Sequence, residues 1–410
     1  MLNEYLPNSL LNEELVKRDW FFQNVEKDMS WLGGDSIVPF KGAGATSVKF
    51  GGLTASGSIG QHKYVRGKMS GYKEAWGSLI FDETDLMQHG KISEQNFLRL
   101  LPDQLDDFMS YMKMVLSINL MSGPHFASAT VNGTAGGVVV VDKVDRFEID
   151  QLVLLADGNT GAAEYYVIAI NINDKSVTLS ATKGGAAADV SAYTVAQSAK
   201  FYHDGVITVG QSASNGNEFN SLRSALLSAA NGGSANLHGQ SKLAYPYLQA
   251  VNVSGASISA TNILDKLFDA WSEIKIRAKA AQPSKCVMSF KHLGTIMKLI
   301  ETDKSPFKVS VGSTKADKFN WTEINITGVR GGFSLVGIQE MDDDIIYFLD
   351  MSAFTLRSNG GLKKVASPEG IEYTRERATT GFKLITDICF MGDLEVTAPA
   401  KCAVIHSISY

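Results

Sequence analysis

With 410 residues and 44% apolar side chains, the chain exceeds what one hydrophobic core usually supports, so two or more lobes are expected and disorder throughout is excluded. A net charge of -5 provides no global basic field for nucleic acid, so any DNA contact has to be local. Cys286, Cys389 and Cys402 are widely spaced without a CxxC pair, which argues against a disulfide framework and a zinc site and suits a reducing compartment.

Residues 1–45 alternate charged and bulky apolar side chains (Trp20, Phe21, Phe22, Trp31, Leu32) without completing a compact unit, which predicts an arm that docks elsewhere. "MLNEYLPNSLLNEELVKRDWFF" carries early acids and no apolar core of signal-peptide length, and the longest apolar helix candidate is broken by Lys113; neither an export signal nor a membrane span is expected. Over 46–92, "TSVKFGGLTA" and "YKEAWGSLIFDETDL" read as two strands, with "SGSIGQHKYVRGKMSG" as the glycine-rich tip between them. A long two-stranded ribbon is marginal alone and needs support.

Pro102 suits the first turn of a helix, and Asp103, Asp106 and Asp107 place negative charge where a helix N-terminus favours it. Leu101, Leu105, Phe108, Met112, Val115 and Leu116 recur at helical spacing until "SGP" at 122–124, predicting a helix of roughly 20 residues, about 30 Å long. The methionines of this helix read as core filler. Residues 128–204 change to Val, Ala and Thr in short runs ("GGVVVVD", "FEIDQLVLLAD", "EYYVIAINI", "SVTLSA", "AYTVAQ"), with a hairpin turn at "NDKS", which predicts a small inserted β-barrel. Beyond 205 the pattern is mixed: helices at 217–230 and 261–281, strand "KCVMSF", helix "KHLGTIMKLIET", then "NITGVRGGFSLVGI", "DIIYFLDM" and a β-rich end.

No catalytic set emerges. The seven histidines are scattered without HExxH spacing, no GxSxG elbow or P-loop occurs, and "GAGATS" departs from GxGxxG. His238 beside Ser234 or Ser241 reads as a turn residue with a local hydrogen bond before it reads as a nucleophile and base. "MDDDI" lacks the glycine and distal Glu of a calcium loop and reads as a solvated turn. No catalytic residue, cofactor or metal is expected.

The order of elements resembles the major capsid protein family of tailed bacteriophages, the Hong Kong 97-type fold, over nearly the whole chain. "NLHGQSKLAYPYLQAVNVSG" is similar to the family segment in which a glycine after a short apolar strand leads to a polar run, Tyr-Pro and the next strand; here those are Leu237, Gly239, Ser241, Tyr245, Pro246 and Tyr247. "ILDKLFDAWSEIKIRAKAAQPSKCVMSFKHLGTIMKLIETDKSPF" is similar to the family's helix, strand and helix unit. The resemblance implies an α+β fold with an N-terminal arm (1–45), an E-loop β-ribbon (46–92), a spine helix of the peripheral domain (93–127), an inserted β-barrel (128–204) that only some members carry, an axial domain (205–340) and return strands with the C-terminus (341–410). It implies a non-enzymatic subunit that assembles into the pentamers and hexamers of an icosahedral head, in the virion and first in the host cytoplasm. Its partners would be itself, scaffolding, portal and decoration proteins, and non-specifically held double-stranded DNA, with no membrane. A tail-tube or other self-assembling virion protein is the rival reading, which the long helix disfavours. An enzyme using His238 comes third, and a DNA-binding protein last, since no basic helix appears.

Charge supports contacts between copies. Ala45–Lys73 holds Lys49, Lys63, Arg66, Lys68 and Lys73 and no acid, whereas 82–107 is rich in Asp and Glu. Lys63, Arg66 and Lys68 at the ribbon tip are therefore expected to meet Asp103, Asp106 and Asp107 at a neighbour's helix start.

Overall fold

The structure is a computed structural model that describes residues 19–43, 63–69, 71–82, 94–212, 216–259, 261–277, 283–303, 309–311, 323–328, 331–365, 374–378 and 381–408. In chain order it holds the helix Trp20–Asn24, strands β1 (Glu26–Asp28), β2 (Ser36–Ala43), β3 (Lys63–Met69) and β4 (Lys73–Asp82), and the helix Glu94–Ser122. Six strands follow: β5 (His125–Ser128), β6 (Val138–Val140), β7 (Leu152–Ala156), β8 (Ala163–Asn171), β9 (Ser176–Ser180) and β10 (Lys200–Tyr202). Next come the helix Leu222–Leu226, β11 (Asn236–Leu237), β12 (Gln240–Ser241), β13 (Val251–Ser254), the helix Ile263–Arg277, β14 (Lys285–Ser289) and the helix Phe290–Asp303. The chain closes with β15 (Val309–Val311), β16 (Glu323–Gly328), β17 (Gly331–Ile338), β18 (Ile345–Leu349), β19 (Phe354–Lys364), β20 (Thr374–Ala378), β21 (Gly381–Val396) and β22 (Ala403–His406). Two compact units result, one over 73–219 and 361–391 and the other over 20–72, 220–360 and 392–410.

In the first unit the helix Glu94–Ser122 buries Met109, Met112, Leu116, Ile118, Leu120 and Met121, so its C-terminal half is core. It starts ahead of Pro102, against the sequence expectation. A proline inside a helix costs about 3 kcal/mol relative to alanine, and burial further along the helix offsets this. Asp103, Asp106 and Asp107 consequently lie within the helix, and the dipole of its first turn does not act on them. Gly123, at φ 103°, and Pro124 end it.

The strands from 125 to 202 form one antiparallel sheet in the order β5-β10-β7-β8-β9-β6. An antiparallel bridge, Ala129 to Val141, with the Thr130 and Asp142 amides donating to the Val140 and Ser128 carbonyls, brings its first and last strands together. The "NDKS" turn joins β8 to β9, as the alternating pattern predicts. "AYTVAQ" is no strand: Val195–Gln197 is a 3-10 turn closed by Ser198 at φ 59°. Phe126, Phe147, Val153, Val167, Val177 and Phe201 fill the interior, and Ile118 of the long helix shares that core.

The second unit centres on a seven-stranded sheet, β13-β22-β18-β14-β17-β16-β15, parallel only between β13 and β22 and between β14 and β17. Ile345–Leu349 is buried at every position, as a central strand requires. Ile263, Leu267, Ala270 and Ile274 of one helix, and Leu293 and Ile296 of the next, join Met288, Leu335 and Phe348 in a single core. The helix expected over 217–230 shrinks to Leu222–Leu226, capped reciprocally by Ser221 and Ser224. It stops because the Ser228 amide turns away to the Asn252 side chain, 3.1 Å off.

Residues 20–31 lie against the chain's own strands: Phe21, Phe22, Val25 and Trp31 are buried, and β1 pairs in parallel with β19. The ribbon expected from 46–55 and 72–86 is described only over 72–82. The first of these segments lies outside the described residues, β4 pairs with β21, and "KYVRGKM", expected at a loop tip, is β3, antiparallel to β2 from Ser36↔Met69 to Lys41↔Tyr64.

One close approach in the first unit is open to test. A Cβ on Gly161 would fall 2.4 Å from the Gly210 carbonyl oxygen, and Gly210 is held there by the hydrogen bond its amide donates to the Ala162 carbonyl. Gly161→Ala should lower stability by about 1–3 kcal/mol in urea unfolding, whereas Gly34→Ala, with open space around it, should change it by less than about 0.5 kcal/mol.

Candidate functional site

The two-residue alternation of a strand sorts the ribbon into two faces. Val38, Phe40, Gly67 and Met69 are buried, while Ile37, Pro39, Lys41, Tyr64, Arg66 and Lys68 point outward. The register sets Ile37 opposite Lys68, Pro39 opposite Arg66 and Lys41 opposite Tyr64, so three cross-strand pairs make one exposed apolar and basic strip. Ile37 is 60% exposed and Tyr64 71% exposed.

The buried face rests on the hairpin β11–β12. Its two-residue turn, His238 (φ 47°) and Gly239 (φ 78°), has both central residues in the left-handed region, the geometry that matches strand twist in a hairpin. The Lys68 amide donates to the His238 carbonyl at 2.9 Å, and Gln240 Nε2 donates to the Arg66 carbonyl at 2.8 Å. The His238 ring stacks on Phe40 at 5.9 Å between centroids, and its Nε2 accepts the Val396 amide at 3.1 Å. Gly67 makes this fit possible, because a Cβ there would meet the Phe40 ring at 2.3 Å. Burial lowers the His238 pKa to about 4. Its hydrogen bond is thus long-range, where the sequence suggested a local one.

Lys242, on the same stretch, is buried and donates from Nζ to the carbonyls of Ser224 (2.6 Å) and Leu227 (2.9 Å), and burial draws its pKa down to about 8. It closes the C-terminal end of the short helix Leu222–Leu226. The acids of "MDDDI" are held by protein groups: Arg223 pairs with Asp342 at 3.3 Å and with Asp344 at 2.7 Å, and His292 Nε2 bonds the Asp343 carbonyl at 2.7 Å. The solvated turn expected there is replaced by a part-buried ion-pair cluster. Among the described residues no group of His, Cys, Asp and Glu could hold a metal, and no helix is long and apolar enough to cross a membrane. The three thiols are buried, and burial raises the pKa of each.

The expected contact residues separate. Arg66 and Lys68 share the exposed face of β3, but Lys68 already pairs with Asp35 at 2.8 Å. Lys63 belongs to the same strand, and its side chain and that of Asp103 lie outside the described residues. Asp106 and Asp107 are exposed on the long helix of the other unit. Asp35, Ile37, Pro39 and Lys41 escape the sequence reading because they fall within 1–45, the expected arm. The signal was there in "SIVPFKG", where apolar Val38 and Phe40 alternate with outward residues. Lys41 Nζ also lies 5.1 Å from the centre of the Tyr247 ring, tying the strip to the Tyr-Pro-Tyr turn.

No family model and no curated protein matches the chain. Similar solved structures include the capsid of a native GTA particle, at 10% identity and TM-score 0.47, covering 97% of this chain and 90% of that one. The capsid asymmetric unit of cyanophage A-1(L) is similar at 11% identity and TM-score 0.47, over 94% of this chain and 92% of that one. The holo-SrpI encapsulin complex of Synechococcus elongatus PCC 7942 is similar at 7% identity and TM-score 0.42, over 95% and 87%.

The Lys68–Asp35 pair is exposed on both sides, so a double-mutant cycle with Lys68→Ala and Asp35→Ala should return a coupling of about 0.2–1 kcal/mol, vanishing in 1 M salt.

Proposed function

We propose that this chain is a major capsid subunit, whose copies join into the pentamers and hexamers of an icosahedral phage head around double-stranded DNA. The observation that carries this reading is the outer face of the ribbon, a strip with Ile37, Tyr64 and Arg66 on a strand pair fastened from behind. Such a strip is costly in a monomer and useful where a second copy covers it. The sequence resemblance supports the same reading. It assigns the chain no reaction, and it names scaffolding, portal and decoration proteins as further partners, in a virion assembled in the host cytoplasm.

In this reading the ribbon of 36–43 and 63–69 is the E-loop stem, the helix Glu94–Ser122 is the spine, and 128–204 is an inserted barrel. The pairing of Ser128 with Lys200, which sets the ends of that segment side by side, supports the insertion. The basic partner of a neighbour's Asp106 and Asp107 is Arg66, while Lys68 serves its own chain through Asp35. Weak contacts of about 0–1 kcal/mol suffice when repeated around every ring, and they let misplaced subunits dissociate.

Electron microscopy and sedimentation of the purified full chain test the reading. Closed shells or five- and six-membered rings are expected; a monomer at all concentrations would refute it. Arg66→Glu should leave the subunit folded and slow assembly at least several-fold, and adding Asp106→Lys with Asp107→Lys should restore part of the rate. Unchanged assembly in the single variant would remove the charge pairing and leave the apolar contacts of Ile37 and Tyr64.

A further inference from the structure

We propose that His238 is an acid-released latch for the ribbon: as a neutral acceptor it seats the hairpin turn beneath β2 and β3, and protonation at Nε2 expels the ring and frees 36–43 and 63–69. The inference concerns the single chain and holds whatever copies that chain joins.

The geometry fixes the protonation state. Nε2 accepts from the Val396 amide, so the neutral ring carries its proton on Nδ1. A second proton makes both ring nitrogens donors, and Nε2–H then faces the Val396 N–H with no acceptor between them. The ring has nowhere else to go within the closed site, since Phe40 stacks on it and the Gly67 Cα lies close enough that an added Cβ would be 3.1 Å from the His238 Cβ. Because the His238 carbonyl also receives the Lys68 amide, a ring that leaves carries away a bond that holds β3.

The charges around the ring do not rescue the cation. On its own stretch Lys242 is directed to the Ser224 and Leu227 carbonyls. On the ribbon, Arg66 and Lys68 point outward, Lys68 onto Asp35, and Lys41 lies over Tyr247. At the end of β21, Asp393 accepts from Asn220 and Glu395 pairs with Arg357. None of them shifts His238; burial alone lowers its pKa from 6.5 to about 4. The sign follows: the open form binds a proton near 6.5 and the closed form only near 4, so the latch is fully engaged above 6.5 and weakens as pH falls between these values. Each pH unit in that window should raise the open fraction by about tenfold.

Amide hydrogen exchange of the full chain between pH 4 and 7, corrected for intrinsic rates, reads this directly. Peptides covering 36–43 and 63–69 should gain about tenfold in opening per unit of falling pH, relative to peptides from β14 and β18 in the same sample. His238→Gln retains a carbonyl that can accept the Val396 amide and does not titrate, so its ribbon should show no such slope. NMR titration of the His238 ring in the wild-type chain decides the matter even if that variant fails to fold. A midpoint below 6.5 that coincides with the opening of 36–43 and 63–69 supports the latch. A midpoint near 6.5, a flat wild-type slope, or an equal slope in His238→Gln would overturn it.

Discussion

The left-handed turn at His238 and Gly239 is the constraint on which the candidate site depends. A two-stranded ribbon cannot bury both faces, and in water such a pair is marginal. The turn solves half of this problem by placing a flat ring against Phe40 and two hydrogen bonds against the edge of β3. What is left exposed is then confined to one face. That face carries side chains of both kinds an assembly contact needs: apolar area for affinity and cations for orientation.

The polar residues that make "GGSANLHGQSKLAYPYLQAVNVSG" look like an active site are structural. His238 holds Val396, Lys242 closes a helix end, and Asn252 takes the Ser228 amide. Buried polar groups of this kind cost stability if left without partners, so each must find one at a defined place, and the loop gains a single conformation. Arg223 with Asp342 and Asp344 does the same within this unit. A chemistry-rich composition here reports the staples of an irregular segment.

Long apolar periodicities were legible in the sequence. The helices Ile263–Arg277 and Phe290–Asp303, the strand Lys285–Ser289, and the hairpin β8–β9 follow directly from spacing and turn residues. Misreadings arose where a local rule competed with tertiary packing. Pro102 marks a helix start by propensity, yet the helix continues through it because its far half is core. Lys63–Met69 looked like a tip because of its glycine, but Gly67 is there to admit the Phe40 ring. Lys68 looked available to a neighbour because Asp35 sits in a segment with no evident pairing, and only the register of β2 with β3 brings the two together.

The claim that the outer ribbon face is a contact between copies is most directly tested on Tyr64, which is 71% exposed in the single chain. Hydroxyl-radical footprinting should compare Tyr64 in dissociated and assembled protein, with Trp76, 52% exposed on β4 of the other unit, followed as a second probe. If the account holds, the oxidation rate of Tyr64 falls several-fold on assembly. An unchanged rate in intact shells or rings would contradict it and move the contact surface elsewhere on the subunit.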